Sequence, residues 1–417
     1  MKQLIFQAYF LVIFTAAIYG QSEWTVLKPN NSGLPSISIK CLAIDASGNI
    51  WIGGNLGSLT RYDNGDWTVY SGYGIPGPAY CIALDASDNI WIGSQGYGLT
   101  KFDGANSTVY NASNSGLPDN AVQSVIVDNI GRVWAGTAGG VAIFDGTDWT
   151  VYNTSNSNLP HNWIYSFALD NDNNMWVGTG GGLAKSDGSG WAVYTSSNSG
   201  LPDNYVFSIA IDTNGDKWIG TLSGGLAKFN DSGWTVYNQS NSGLPANRVD
   251  CIVIDDSGNK WIGTTGGGLA KFDDSNWTIF DESNSPLPYN AVYALAIEAN
   301  GNKWIGTYGG LAVYREDGIV AVEEGLNSIP VDFELCKNYP NPFNPGTTIT
   351  YTIPMTEFVS ITVYDMLGKE VTILVNGKKP AGHYRVDFNA SGLPSGMYFY
   401  TLQAGAYRST KKMLLFR

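Results

Sequence analysis

The 417-residue chain has little charge: only 14% of its residues are Asp, Glu, Lys or Arg. The usual share is about 25%, so a disordered polyampholyte is excluded. It has two histidines, His161 and His383, which leaves no material for a histidine-rich metal site and argues against a Ser-His-Asp triad. It is poor in positive charge, with 23 basic against 36 acidic residues, net −13. A phosphate-binding surface needs the opposite balance, so a nucleic-acid partner is not expected. Long apolar runs are missing after the first twenty residues, so no membrane span is expected in the mature chain. What is abundant is turn-forming and aromatic: 51 glycines, 24 tyrosines and 14 tryptophans. Glycine weakens helices and strand interiors but suits tight turns. The combination predicts an all-β chain of short strands, and its length suggests more than one domain.

Residues 1–20 read as an export signal. Lys2 supplies the positive start, an apolar run extends from Leu4 to Ile18, and Ala16, Ala17 and Gly20 are small exit residues. The run is shorter than the roughly 20 residues of a spanning helix. Export would permit disulfides, so the four cysteines matter. Cys41, Cys81 and Cys251 share one column of a repeat, where other copies hold Ser124, Ser166, Ser208 and Ala294. That column is a small-residue packing position. Cys336 lies in a different segment, and no disulfide is expected.

The repeat is anchored by Trp-Ile-Gly and its variants, beginning at Trp51, Trp91, Trp134, Trp176, Trp218, Trp261 and Trp304. A second tryptophan, usually in Trp-Thr-Val-Tyr, stands at Trp24, Trp67, Trp149, Trp191, Trp234 and Trp277, and Ser107 replaces it in one copy. Only Trp163 falls outside both columns. The fifth copy shows the strand pattern: Val206 to Ile211, Lys217 to Thr221, Gly225 to Phe229 and Trp234 to Tyr237. Four strands at a period near 40 to 45 residues mark a propeller blade. There are seven sets of the first three strands. The fourth strand of the last set is missing after Tyr314, whereas an extra one, Trp24 to Leu27, precedes the first set. The N-terminal strand is therefore predicted to complete blade seven and close the ring.

These units resemble the two-component regulator propeller repeats of extracellular sensors in Bacteroidota-type bacteria. The resemblance rests on Asn-Lys-Trp-Ile-Gly-Thr at 259–264 and 302–307, with Gly-Gly-Leu-Ala-Lys-Phe at 224–229 and 267–272. It covers residues 24 to 314. In that family the propeller usually precedes a membrane span and a histidine kinase. Neither pattern follows here, so a direct signalling role is not expected.

Residues 315 to 334 hold six acids and one arginine and read as an acidic linker. Residues 335 to 417 show alternating runs at Thr347 to Ile353, Val359 to Asp365, Glu370 to Val375, His383 to Phe388, Met397 to Gln403 and Tyr407 to Leu415. Gly368, Gly377, Gly382, Gly392 and Gly396 separate them. Six or seven short strands predict an immunoglobulin-like β-sandwich. The stretch is similar to the type A C-terminal sorting domain of the type IX secretion system. The similarity is carried by Asn338-Tyr-Pro-Asn-Pro-Phe-Asn-Pro345, Val363-Tyr-Asp-Met-Leu-Gly-Lys-Glu370, Ser391-Gly-Leu-Pro-Ser-Gly-Met-Tyr398 and Lys411-Lys-Met-Leu-Leu-Phe-Arg417. It implies passage across both membranes, release or attachment at the outer surface, and two partners: the type IX machinery and its sorting protease, which removes the domain near the linker. The charge divides accordingly: 12 basic and 26 acidic residues in 21–314, against 9 and 4 in 335–417.

Candidate ligand-binding residues lie at the start of the first, innermost strand of each blade, where propeller loops converge on the channel. The column before the Cys/Ser position reads Lys40, Tyr80, Gln123, Tyr165, Phe207, Asp250 and Tyr293. Two residues earlier, blades four to seven carry Trp163, Tyr205, Arg248 and Ala291. Aromatic faces beside charged groups suit sugar rings. The competing reading is that these side chains plug the channel. Trp163, Tyr165, Tyr205, Phe207, Arg248, Asp250 and Tyr293 are expected around one mouth, with Lys40, Tyr80 and Gln123 forming a more polar arc.

The Asp-x-x-Gly-Asn turns, with Asp170-Asn-Asp-Asn-Asn174 and Asp212-Thr-Asn-Gly-Asp216 nearest to calcium loops, lack the glycine at position six and the distal glutamate of an EF-type site. They read as hairpin turns that resemble sialidase Asp-boxes. His161 merits notice because seven-bladed lyases that open antibiotic lactone rings use a histidine base with a metal. Asp119, Asp203, Ala246 and Tyr289 occupy its position in other blades, and no partner for it is identifiable. No cofactor is expected. The favoured function is an exported binding module for a glycan or surface protein. A secreted polysaccharide-acting enzyme or lyase and a structural or adhesive display protein are the alternatives.

Overall fold

The structure is a computed structural model. It describes residues 24–316 and 333–416, apart from 56–58, 72–73, 231, 337, 339–340, 342 and 381, and apart from the side chains at 383, 385 and 387. The export signal and nearly all of the acidic linker lie outside the described residues, as does the side chain of His383. The described elements are all β-strands, and no helix among them could cross a membrane.

Seven four-stranded antiparallel sheets run from Trp24 to Tyr314. Their first strands are Ile39–Ile44, Ala79–Leu84, Val122–Val127, Ile164–Leu169, Val206–Ile211, Val249–Ile254 and Val292–Ile297. These strands adjoin one another in order, and the last returns to the first, so they line the axis of a seven-bladed propeller. Blade five consists of Val206–Ile211, Lys217–Thr221, Leu226–Asn230 and Gly233–Tyr237, within a residue of the sequence expectation. Blade seven takes its fourth strand from the N-terminal side: Trp24 pairs with Tyr314 and Leu27 with Leu311. The ring therefore has no open seam.

Each hydrophobic core lies between two blades. Trp218 of blade five packs with Val249, Ile252, Ile262 and Phe272 of blade six, and the same arrangement recurs round the ring. A blade alone cannot bury its face, which is why the repeat needs its neighbours. Close approach also explains the glycine of Trp-Ile-Gly. A Cβ on Gly220 would stand 2.6 Å from Val249 Cγ1 and 3.0 Å from the Val249 carbonyl oxygen of the next blade.

The C-terminal segment forms two sheets. One joins Glu334–Leu335, Gly346–Ile353 and Gly382–Asn389; the other orders Glu370–Lys379, Glu357–Tyr364, Gly396–Ala404 and Tyr407–Leu415. Tyr351, Tyr400, Phe343 and Ile361 fill the space between them, giving an immunoglobulin-like sandwich. The Asn338 segment is tied into this core. The Asn338 backbone N–H donates to the Tyr400 hydroxyl at 2.8 Å, and that hydroxyl donates to the Cys336 carbonyl. One separator is corrected: Gly377 does not end a strand. Pairing continues through it to Lys379 opposite Glu357, because backbone bonds to the neighbouring strand sustain an exposed edge.

Candidate functional site

The variable column of the first strand has a structural cause. In blade six, Val249 pairs with Thr264 and Cys251 with Gly263, so Asp250 is an extra residue with no partner. The same register shift falls on Lys40, Tyr80, Gln123, Tyr165, Phe207 and Tyr293. Each is a β-bulge residue, a feature that re-aims a side chain and bends its strand. A bulge residue has no cross-strand neighbour to match, so its identity is free to differ between blades. The second column is fixed by backbone bonds to the link between strands two and three. Gly180 N–H donates to the Trp163 carbonyl, Leu222 to Tyr205, Thr265 to Arg248 and Tyr308 to Ala291, each at 3.0–3.2 Å. Both columns thus stand at one end of the channel, where the first strands begin.

Side-chain contacts run from blade four to blade six, and a separate pair joins blades seven and one. Trp163 and Tyr165 have ring centroids 6.1 Å apart, and Tyr165 meets Phe207 edge to face at 4.9 Å. The Arg248 guanidinium lies 5.1 Å from the Phe207 ring centre and pairs with Asp250 at 2.9 Å. The Thr265 hydroxyl donates to the other Asp250 oxygen at 2.7 Å. The Lys40 ammonium sits 3.6 Å over the Tyr293 ring, bringing blade one against blade seven. Trp163 and Tyr205 are 45% and 44% exposed, so a large part of each ring faces solvent. Tyr80 is half-buried on its bulge and makes no ring contact with the others among the described residues.

Burial sets the electrostatics of this mouth. It raises the Asp250 carboxyl above its ordinary value, against the lowering effects of Thr265, Arg248 and Lys40. It lowers Lys40, which Asp250 opposes and Arg248 reinforces. It raises the Tyr165 phenol, with Tyr205 adding to the shift.

Three participants escaped the sequence reading. Thr265 comes from the link between strands two and three, which carried no motif. The Tyr289 and Tyr308 rings meet at a tilt with centroids 5.4 Å apart, and both are exposed on blade seven. Their signal was two tyrosines in the crossover and link of one blade. His161 caps its own turn: its Nδ1 accepts the Trp163 N–H at 3.0 Å, and it lies against Gly180 and Gly181.

The aspartate turns do something the sequence did not reveal. In every blade the turn carboxylate accepts the indole N–H of the tryptophan six residues later. The distances are 2.9 Å for Asp45–Trp51, 3.0 Å for Asp85–Trp91, 3.0 Å for Asp128–Trp134, 2.9 Å for Asp170–Trp176, 3.1 Å for Asp212–Trp218, 2.9 Å for Asp255–Trp261 and 2.8 Å for Glu298–Trp304. Backbone N–H groups of the turn fill the other positions of the aspartates. Burial alone would raise Asp170, but the bonds from Trp176, Asn174 and the backbone outweigh it and hold the carboxyl below its ordinary value. Among the described residues no group of three His, Cys, Asp or Glu side chains is placed to hold a metal ion. A cavity of about 350 Å³ lies between blades six and seven at the opposite end, lined by Asp255, Glu298, Lys303 and Glu316. The carboxylates of Asp255, Glu298 and Glu316 there are already bonded to Trp261, Trp304, Lys303 and Lys271.

Two families of known sequence match parts of the chain. The family described as "Two component regulator propeller" matches residues 33–55, 116–139 and 158–181, and "Secretion system C-terminal sorting domain" matches residues 337–415. No curated protein matches the chain. Among solved structures it is similar to PorZ, an essential bacterial surface component of the type-IX secretion system of Porphyromonas gingivalis. That match has TM-score 0.57 and 19% identity, over 93% of this chain and 60% of the other. It is similar to the extracellular domain of a hybrid two component system from B. thetaiotaomicron, with TM-score 0.64 and 19% identity, over 94% and 57%. A streptogramin B lyase matches at TM-score 0.57 and 14% identity, over 70% of this chain and 97% of the other. The chain spans about three fifths of the first two relatives, and likenesses at these identities establish the fold alone. The chain thus carries regulator-type propeller repeats and a type IX sorting tail, which places it on the outer surface or outside the cell.

Proposed function

We propose that this exported propeller binds a saccharide at the channel mouth built by blades four, five, six, seven and one. Residues 21–314 would form the binding unit and residues 335–417 the part read, and then removed, by the type IX system and its sorting protease. The observation that carries the reading is the pair of exposed rings, Trp163 and Tyr205, at the same mouth as a bonded Arg248–Asp250 pair that Trp163 reaches through Tyr165 and Phe207. A flat indole face stacks on the C–H face of a sugar, and fixed charged groups bond its hydroxyls. Exposed aromatics over a packed inner row leave stacking surface free, which a plug would not.

The chain leaves the propeller at the other end. Lys303 pairs with Tyr314 at the end of blade seven, and Glu316 bonds Lys303 at 2.5 Å and also Lys271. A tail or anchor joined there starts away from the mouth. The test is a glycan array probed with residues 21–417 and with the Trp163→Ala variant. Binding to a saccharide that the variant loses supports the proposal. Binding to no saccharide, or binding that the variant retains in full, refutes it.

A further inference from the structure

The Lys40 ammonium is half-buried over the Tyr293 ring and has three N–H donors, yet no hydrogen-bond acceptor among the described residues. Asp250, the carboxylate that acts on it, already has partners on both oxygens. Arg248 Nε and Nη2 both bond one carboxylate oxygen at 2.9 Å, and Thr265 holds the other at 2.7 Å. The Asp250 side chain is only 10% exposed, so it does not reach a ligand over these partners. At the channel centre two cations, Lys40 and Arg248, face the one carboxylate of Asp250. Arg248 lies against Phe207, and its Nη1 has no acceptor among the described residues. Acidic residues on the surrounding loops are turned to local work. Asp119 caps the Ala121 N–H, Asp203 binds the Ser223 backbone and hydroxyl, and Glu282 accepts the Asn290 N–H.

Resting on the saccharide reading above, we infer that the ligand is an acidic saccharide, with a uronate carboxylate held by Lys40 and Arg248. A partly desolvated ammonium with no acceptor is costly, and a carboxylate at that point relieves it through a charge-assisted bond. Arg248, close enough to act on Lys40 electrostatically, offers a second cationic donor whose planar guanidinium suits a carboxylate. The aromatic row from Trp163 to Phe207 then carries the neutral rings of the same chain. The acidic surface of the rest of the propeller works against such a ligand at long range, so the affinity must come from this local pair and must fall with salt.

The experiment is calorimetric titration of the chain from residue 21 with oligosaccharides of galacturonate, glucuronate and mannuronate, each beside its fully methyl-esterified form. For at least one sugar the acid is expected to bind tenfold or more tighter than its ester at low salt. Lys40→Gln should bring that ratio close to one, and Lys40→Arg should restore most of it, with thermal unfolding unchanged in both. Trp163→Ala should weaken acid and ester by a similar factor. Equal binding of acid and ester, an unchanged ratio in Lys40→Gln, or no binding of any of the three acids would overturn the inference. If neutral esters bind in a Trp163-dependent way without any preference for the acid, the acidic ligand is wrong and the saccharide site stands.

Discussion

Closure of the ring by the N-terminal strand can be tested at a single side chain. Leu27 is 1% exposed and packs with Leu34, Ile39, Ile52 and Leu311, so it joins blade seven to blade one. Truncating such a leucine to alanine removes its transfer free energy and leaves a cavity, together about 2–5 kcal/mol. For a domain of this size each kcal/mol moves the midpoint by roughly 2 °C, so Leu27→Ala should lower Tm by about 4–10 °C. Lys28, one residue on and at the end of the strand, serves as control, and Lys28→Ala should shift Tm by less than about 1 °C. Removing residues 21–28 goes further. It deletes four ladder pairs, the Trp24 contacts with Tyr314 at 4.7 Å and Phe280 at 5.4 Å, and the Thr25 acceptor of Arg315. It also bares the Gly310–Tyr314 strand as an unpaired edge, a template for aggregation. Scanning calorimetry and light scattering read both effects. A truncated protein that stays monomeric with a wild-type Tm, or a Leu27→Ala variant with no Tm loss, would refute closure by this strand.

Asp212→Ala should cost about 1–3 kcal/mol in urea unfolding, because the indole N–H of the fully buried Trp218 loses its acceptor; an unchanged midpoint would remove the Asp–Trp pair from the account. Stability should fall with acid. Asp45, Asp85, Asp128, Asp170 and Asp255 all have folded-state carboxyls below their ordinary value, since their bonds outweigh the burial that opposes them. A depressed folded pKa means the stabilisation is present above the unfolded value near 4 and is lost as pH drops below it toward the folded value, so Tm measured from pH 6 to 2 should hold and then fall from about pH 4 downward. A Tm that rises over that interval would reverse the sign. Deleting residues 335–417 should leave the propeller folded and retain it in the periplasm on fractionation; normal export of the truncated chain would contradict the sorting role of the tail.

The blade repeat was legible because packing forces recurrence. Each Trp-Ile-Gly tryptophan fills the same inter-blade core, and each glycine meets the next blade's first strand. The missing fourth strand after Tyr314 was legible for the same reason. The aspartate–tryptophan bond was not, because it links residues across a hairpin turn whose composition also suits any polar turn. At the mouth, the column could be found from its variation, but its cause, a bulge, shows only in strand register. The shared column and the closed ring made Lys40 and Tyr293 neighbours, but the seat of the ammonium 3.6 Å over the ring shows only in the side-chain geometry. The two-residue strand Glu334–Leu335 is too short to have a pattern of its own.

Saccharide binding at the mouth is tested most directly at Trp163. With a saccharide selected on the array, calorimetric titration of wild type and Trp163→Ala should show affinity weakened by about 1–3 kcal/mol, while thermal unfolding of the variant stays close to wild type because the ring is 45% exposed. If the substitution instead unfolds the propeller and leaves the affinity of the remaining folded molecules unchanged, the side chain is a plug in the channel and the mouth is not the binding site.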